Sequence, residues 1–148
     1  MEIEQPPAGW TPSSVGGEFM ERNGPLYWKM TDDGLLVGLR IEKRHCNPRG
    51  VLHGGMLMTF ADMLMPMAGH AHPDIGRRFL PTITLSTDFL SPAPLGAWLQ
   101  GQARVLRVTR NMVFAEGLIH ADATLVARVN GIFKLGEPLA KLRGDADR

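Results

Sequence analysis

Apolar residues dominate residues 56–65, where the only polar side chains are those of Thr59 and Asp62. A helix that is apolar nearly all round is usually buried. The pattern therefore predicts one buried helix over residues 53–65, with a weak or kinked end at Pro66 because proline removes a backbone hydrogen bond.

The chain after residue 78 changes to the alternating pattern of β-strands. In TITLSTDFL, one predicted face carries Ile83, Leu85 and Phe89, and the other carries Thr82, Thr84, Ser86 and Asp88. This alternation predicts a half-buried strand. Further strands are predicted within residues 34–46, 97–109, 112–121 and 124–136, and a short helix followed by a turn within residues 18–30.

One helix followed by a run of strands with short connections is an α+β pattern. An antiparallel sheet is then expected to wrap or cover the single helix. The length of 148 residues suits one domain. We expect a loose N-terminal arm over residues 1–17, rich in proline and glycine, the domain over residues 18–140, and a polar tail over residues 141–148.

Composition and charge give little indication of a partner and some indication of the cellular compartment. A formal net charge of +1 gives no bulk attraction for nucleic acid or a membrane surface. The single Cys46 has no internal disulfide partner, and the N-terminal residues lack the pattern of a signal peptide. No apolar run reaches the roughly 20 residues needed to cross a bilayer. We expect a soluble, cytoplasmic protein.

Asp62 is the residue that the helix pattern does not explain. Aspartate is unfavourable inside a helix, and a buried carboxylate costs several kcal/mol unless it is paired or protonated. One reading is structural, with Asp62 bonded to a nearby backbone group or to water at an interface. The other is chemical, with Asp62 as a general base or nucleophile.

His53-Gly54-Gly55 precedes the helix and supplies a second clue. The first N–H groups of a helix have no partner within it, and glycine allows a ligand to approach them closely. This end of the helix is therefore a candidate oxyanion hole, although a flexible turn would show the same residues. Gly54 and Asp62 lie about 12 Å apart along a helix axis. If both serve one carbonyl, an antiparallel helix from a second subunit must supply one of them, which predicts a dimer.

The combination of Asn47, Gly50, His53-Gly54-Gly55 and Asp62, followed by TITLSTDFLSPAPLG, resembles the PaaI-like group of hotdog-fold acyl-CoA thioesterases over roughly residues 18 to 136. The resemblance implies an antiparallel sheet wrapped around one long helix. It also implies a homo-oligomer, either a dimer or a tetramer, that hydrolyses acyl- or aryl-CoA at the dimer interface. No separate cofactor or metal is expected, since coenzyme A is part of the substrate.

The resemblance also implies roles for individual residues. Asp62 would be the nucleophile or base, and the Gly54 N–H would polarise the thioester carbonyl. Asn47 and His53 would position the thioester or support the loop. Thr82 would hold the hydrolytic water; serine is the familiar residue there, and a solvated strand face shared with Thr84 explains Thr82 equally well.

Other residues are assigned to substrate binding or to packing. Four helix residues are expected to line the substrate site, with methionines that adapt to many acyl shapes: Gly55, Met56, Met58 and Thr59. At the turn between two strands, Arg107, Arg110 and Asn111 are candidates for contacting the phosphates of coenzyme A, or form a solvated hairpin end. Cys46 is expected to be a packing residue, and His70 and His72 surface residues rather than metal ligands.

Three functions remain open at this stage. The leading hypothesis is hydrolysis of an acyl-CoA thioester to a carboxylic acid and free coenzyme A. A hotdog dehydratase or hydratase would need a catalytic pair that moves a proton on carbon. A non-catalytic acyl-CoA-binding or sensing module would leave Asp62 without an evident purpose.

Overall fold

The computed structural model describes residues 6–146. The strands are β1 (Thr11–Pro12), β2 (Tyr27–Thr31), β3 (Gly34–Arg40), β4 (Thr82–Phe89), β5 (Trp98–Val108), β6 (Met112–Ala121) and β7 (Thr124–Lys134). The helices are α1 (Gly17–Asn23), α2 (Gly54–His70) and α3 (Leu139–Ala146), with a short 3₁₀ turn at Lys43–His45. The five predicted strands are present, but the strand predicted over residues 34–46 ends at Arg40, before the 3₁₀ turn. Strands β1 and β2 are not predicted by the pattern.

All seven strands join one sheet in the order β1-β2-β3-β5-β6-β7-β4, and every neighbouring pair is antiparallel. Helix α2 packs on one face of this sheet through Phe60 and Leu64, which are fully buried. The approach is close, since a Cβ atom added at Gly101 of β5 would lie 2.6 Å from a methyl group of Leu64. This arrangement is the α+β hotdog fold, as predicted.

Helix α2 continues through Pro66 to His70, so the predicted end at Pro66 is wrong. Proline removes one helical hydrogen bond, which would have gone to the carbonyl of Asp62, four residues earlier. The turn after Pro66 is held instead by tertiary packing, because Met67 and Gly69 are buried in the core. Packing offsets the lost hydrogen bond, and local sequence does not show this.

Only one face of α2 is buried within the chain. The opposite face carries Met58, Thr59, Asp62, Met63 and Pro66, all of which remain partly exposed. The expectation of a helix buried all round is therefore wrong for a single chain. A largely apolar helix face that the chain leaves open needs another surface to cover it.

Strand β4 is more exposed than the half-buried strand that its alternation predicts. It lies at one edge of the sheet and pairs with β7 alone. Two of its large apolar side chains are half exposed, Ile83 at 51% and Phe89 at 55%. The alternation holds from Thr84 onward, and within residues 6–146 no element covers this edge.

The N-terminal segment is held more tightly than a loose arm. Thr11–Pro12 pair with β2, and the ring of Trp10 meets that of Trp98 edge-on at 5.0 Å between centroids. Residues 1–5 of the predicted arm lie outside the described residues. At the other end, α3 spans the predicted boundary between domain and tail at residue 140, and residues 147–148 lie outside the description. Within residues 6–146, no helix combines the length and apolar character needed to cross a membrane.

Candidate active site

Asp62 and Thr82 contact each other directly. The Thr82 Oγ1 hydroxyl donates a hydrogen bond of 2.5 Å to Asp62 Oδ1. Asp62 lies on the partly open face of α2, and Thr82 is the first residue of β4. Within residues 6–146, Asp62 forms no ion pair and accepts no backbone hydrogen bond. The second carboxylate oxygen is therefore available to a ligand or water.

A β-bulge brings Thr82 to this position. Thr82 pairs with Phe133 of β7, but Thr84 already pairs with Ile132, so Ile83 is an extra residue in β4. Residues opposite each other in an antiparallel pair point to the same face. Phe133 is buried on the face toward α2, since a Cβ atom added at Gly131 would lie 2.7 Å from the Phe133 ring and 3.0 Å from Met65 Cε of α2. Thr82 therefore points toward α2, away from the face of Thr84. The predicted common face of Thr82 and Thr84 is wrong because simple alternation cannot include a bulge.

The start of α2 presents a free donor. His53 is the N-cap residue, and its Nδ1 accepts the Gly55 N–H at 2.8 Å. Within the described residues no protein group accepts the Gly54 N–H. A Cβ atom added at Gly54 would lie 3.5 Å from the Phe89 ring, so Phe89 borders this end of the helix. His53 thus organises the helix start, and Gly54 offers the N–H.

Asn47 shapes the turn before α2. Its Oδ1 accepts hydrogen bonds from the N–H groups of Arg49 at 3.0 Å and Val51 at 3.4 Å. Gly50 has a φ of +75°, which favours glycine. Of the two predicted roles for Asn47, support of the loop is visible within the chain. Burial raises the pKa of the Cys46 thiol, and this fits a packing residue rather than a nucleophile.

Of the other predicted substrate residues, Met58 and Thr59 lie one helical turn before Asp62 on the same face of α2, and the rest lie farther away. Gly55, Met56, Met58 and Thr59 occupy the first turns of α2, where the Thr59 hydroxyl donates to the Gly55 carbonyl at 3.0 Å. Arg107, Arg110 and Asn111 are exposed around the β5–β6 turn. The pairing of Met112 with Lys134 puts this turn at the same end of the sheet as Thr82. Two strand spacings, about 10 Å, separate them.

A cavity of about 590 Å³ opens beside Asp62 and Thr82. Its remaining lining comes from three segments that are distant in sequence: residues 14–17, the second half of α2 with residues 79–81 before β4, and α3. The apolar side chains among them include Val15, Met63, Pro66, Leu80, Leu139 and Leu142. Sequence patterns do not assign Val15, Pro66, Leu80, Leu139 or Leu142 to a site. No local motif joins the three segments.

His70 also reaches this cavity. Its Nε2 is 2.9 Å from the carbonyl oxygen of Arg78, and burial lowers the pKa of the imidazole below 6.5. His70 therefore differs from the surface residue that the sequence predicts. In the described part of the chain, no group of three histidine, cysteine, aspartate or glutamate side chains is placed to hold a metal ion.

A second cavity, of about 640 Å³, lies on the sheet face away from α2. It is lined by polar side chains that include Gln100, Gln102, Arg104 and His120. None of the predicted site residues contributes to it. The residues that the sequence predicts for catalysis therefore lie at α2, at the turn before it and at β4, away from this second cavity.

Two relatives have related sequences. A Pseudomonas aeruginosa protein, PA0474, provisionally named an esterase, is 33% identical over 132 residues, which cover 87% of this chain and 96% of that protein. Mouse acyl-coenzyme A thioesterase 13 is 26% identical over 85 residues, covering 55% of this chain and 56% of the mouse protein.

Solved structures share the fold. The Escherichia coli PaaI protein has a TM-score of 0.67 and 20% identity, with 78% of this chain and 86% of that chain covered. The BH2602 protein from Bacillus halodurans, solved with CoA, has a TM-score of 0.69 and 22% identity, with coverage of 83% and 81%.

The Thioesterase superfamily signature matches residues 49–127. The matched region begins just before the helix start at Gly54 and includes Asp62 and Thr82. Together with the relative that shares 33% identity over nearly its whole length, this match shows the family. The chain belongs to the thioesterase superfamily and is a thioester hydrolase with the hotdog fold.

Proposed function

We propose that the protein hydrolyses acyl-CoA thioesters, with Asp62 as general base or nucleophile and the Gly54 N–H as oxyanion donor. The observation that carries this proposal is the hydrogen bond between Thr82 and Asp62, made possible by the bulge at Ile83. The name of the mouse relative and the CoA in the Bacillus halodurans structure support an acyl-CoA substrate.

In the general-base route, Asp62 takes a proton from a water molecule as that water adds to the thioester carbonyl carbon. The Thr82 hydroxyl holds Asp62 through one oxygen and leaves the other facing the water. The negative charge that develops on the carbonyl oxygen is stabilised by the Gly54 N–H at the positive end of the helix dipole. Collapse of the tetrahedral intermediate breaks the C–S bond and releases the thiolate of coenzyme A. As a nucleophile, Asp62 would instead form an anhydride that water hydrolyses.

One chain cannot supply both groups to one carbonyl, because Gly54 and Asp62 are about 12 Å apart along α2. Strand β4 provides an edge at which a second chain could bind and supply the missing catalytic group. Its Thr82 end contacts Asp62, its Phe89 end borders Gly54, and its outer edge has no partner within the described residues. Antiparallel pairing of β4 with its copy would bring Gly54 of the partner subunit toward Asp62. We therefore propose a homodimer with two shared sites.

The dimer would also cover apolar surface that the single chain leaves open. The exposed side chains of Ile83 and Phe89, and the partly exposed face of α2 around Met58, lie on the side where the copy would pack. Burying such surface is favourable by about 25 cal/mol per Å². Arg107 and Arg110 remain proposed donors to coenzyme A phosphates, at the same end of the sheet as Thr82.

The first test replaces Asp62 by asparagine and measures thiol release from a panel of acyl-CoA and aryl-CoA substrates. Removing a catalytic base should lower kcat by about a hundredfold to ten-thousandfold. Asp88→Asn is the matched control, because Asp88 lies on the other face of β4 in an ion pair with Arg128. A wild-type protein that binds acyl-CoA without releasing thiol would favour a binding module, and near wild-type turnover of Asp62→Asn would exclude the proposed role.

The second test mixes two inactive variants, Asp62→Ala and Gly54→Val. The valine side chain would crowd the Phe89 ring and obstruct the approach of a carbonyl to the Gly54 N–H. Random exchange of subunits should restore about a quarter of wild-type activity, since half of the dimers are mixed and each has one intact site. No recovery, with exchange confirmed by a tagged subunit, would show that each site is built within one chain.

A further inference from the structure

We propose that the cavity beside Asp62 receives the acyl group, and that the turn at residues 14–17 and helix α3 form the walls that set its length. This inference rests on the proposed function and names the substrate class: thioesters of apolar acyl groups larger than acetyl. The functional groups at Asp62 and Thr82 lie on the wall of this cavity, so an acyl group that enters it leaves its carbonyl beside them.

The chemistry of the lining favours an acyl chain over the coenzyme. Among the described residues that line the cavity, Asp62 is the only carboxylate and none is a lysine or an arginine. The His70 ring contacts the Arg78 carbonyl, and burial lowers its pKa, which favours the neutral imidazole. Phosphates need cationic or N–H donors, whereas the aliphatic lining around Met63 and Leu80 suits an apolar group.

The volume argues for a substantial acyl group. At about 590 Å³, the cavity lies within the range of roughly 300–1,000 Å³ that holds small organic ligands. An acetyl group would leave most of this space to water. A medium or long alkyl chain, or an aromatic ring, would replace that water and gain hydrophobic free energy.

The N-terminal wall is fixed by hydrogen bonds and close packing. The Ser13 N–H donates to the Leu26 carbonyl at 2.8 Å, and the Val15 N–H donates to the Ser13 hydroxyl at 3.2 Å. Gly16 lies directly against Met63, because a Cβ atom at Gly16 would be 2.9 Å from the Met63 Cε. The turn therefore has a defined position next to the residue that follows Asp62.

The C-terminal wall is tied to the segment that leads into β4. The Gly136 N–H donates to the Phe79 carbonyl at 2.8 Å, and the Leu139 N–H donates to the Arg77 carbonyl at 2.9 Å. Leu139 and Leu142 are three residues apart and so lie on the same face of α3, and both line the cavity. Leu142 is 38% exposed, so its side chain can change without opening the core.

The test compares Leu142→Trp with wild type on acetyl-, octanoyl-, dodecanoyl- and benzoyl-CoA. Filling the cavity should lower kcat/KM for dodecanoyl-CoA about tenfold or more relative to kcat/KM for acetyl-CoA. Leu142→Ala should raise kcat/KM for dodecanoyl-CoA relative to octanoyl-CoA, because a smaller side chain lengthens the cavity. The matched control is Leu118→Trp, on the opposite sheet face, which should change no substrate by more than about twofold.

Val15→Phe places a larger side chain in the same cavity from the opposite wall and should shorten the preferred acyl chain in the same way. Agreement between the two variants would exclude a local folding defect in α3 as the cause. Unchanged substrate profiles in folded Leu142→Trp and Val15→Phe would overturn the acyl pocket while leaving the proposed hydrolysis intact.

Calorimetric binding of dodecanoate to the Asp62→Asn protein separates the pocket from catalysis. We expect binding that is lost when Leu142→Trp is added. If the wild-type protein releases no thiol but dodecanoate binds with this dependence on Leu142, the acyl pocket stands and the proposed hydrolysis fails. Absence of dodecanoate binding to Asp62→Asn would count against the pocket.

Discussion

The two edge strands of the sheet differ in length, covering and chemistry. Strand β1 has two residues, one of them Pro12, and the ring of Trp10 beside it packs on Trp98. Strand β4 has eight residues and no proline, and it exposes Ile83 and Phe89. Thr82 of β4 also contacts Asp62. We call the short, proline-containing edge at β1 the closed edge. We call the long, exposed edge at β4 the open edge, and it carries the proposed chemistry.

This difference suggests how the site and the assembly are connected. A short edge with proline resists further pairing because proline lacks an N–H group. A long, apolar edge without such protection exposes backbone groups that pair readily with another strand. In this protein the open edge is also where one chain lacks the second half of the proposed site, so the same pairing would complete both the sheet and the catalytic groups.

The largest effect is expected from placing charge on the open edge. Thr84 and Ser86 point away from α2, and lysine at both positions would put like charges near their copies across a β4–β4 contact. We expect a monomer and a loss of activity of about a hundredfold or more, the size expected when an oxyanion donor is removed. Light scattering and thiol release measure the two changes.

Thr11→Lys at the closed edge is the control for this pair of lysines. It should leave both the molar mass and kcat unchanged, because β1 is not expected to pair further. If the β4 lysines leave the mass and the activity unchanged, or if wild type is already monomeric and active, the open edge has no role in assembly.

A smaller effect is expected from removing the hydroxyl that the bulge places on Asp62. Thr82→Val keeps the shape of the side chain and should lower kcat about tenfold to a hundredfold, because the water and the carboxylate lose their alignment. Thr82→Ser should restore most of the activity. Thr84→Val, one position beyond the bulge on the other face, serves as the control. Equal kcat values for Thr82→Val and wild type would make Thr82 a structural residue only.

A substitution at the closed edge should lower the stability of the fold without changing the activity. Trp10→Ala removes the edge-on contact with Trp98, whose ring also lies under the Arg40 guanidinium at 5.1 Å. We expect the free energy of unfolding to fall by about 2 kcal/mol, with kcat and molar mass unchanged. Urea unfolding together with the thiol assay checks this. A large loss of kcat in a protein that stays folded would contradict the separation of the two edges.

The smallest effect is expected when the pH changes the protonation of two histidines and so the stability of the fold. One histidine is bonded to the segment before β2, and the other to the segment before β4. The His45 ring accepts the Glu42 N–H at 2.9 Å and contacts the Asn23 carbonyl at 2.8 Å, and His70 contacts the Arg78 carbonyl. Burial lowers the pKa of both rings below 6.5. Below about pH 6.5 the histidines of the unfolded chain bind more protons than those of the folded chain, so the free energy of unfolding falls as the pH decreases.

Thermal unfolding between about pH 7.5 and about pH 5 should therefore show a Tm that decreases by a few degrees with acidity. The stabilising contribution of the neutral rings should be fully present above pH 6.5 and should decrease toward the lower pKa of the folded state. His45→Gln and His70→Gln should each flatten this dependence. A slope unchanged in both variants would show that other groups cause it.

Periodicity predicted α2 and the four strands after it because both patterns depend on near neighbours in the chain. The same reasoning singled out Asp62 and Gly54, since a carboxylate inside an apolar helix and glycines before that helix are visible in the sequence alone. The end of α2 was not predictable, because Pro66 is a local stop signal that tertiary packing of Met67 and Gly69 overrides.

The sequence by itself determined the helix and the alternation of the strands. It also determined the separation of about 12 Å between Gly54 and Asp62, and this separation led to the prediction of a second subunit. Only the tertiary structure decided that Thr82 turns toward Asp62, because the bulge at Ile83 depends on the register of β4 against β7. The cavity walls at Val15 and Leu142 likewise come from opposite ends of the chain. Register and long-range packing depend on contacts between residues far apart in sequence, and a local pattern does not contain them.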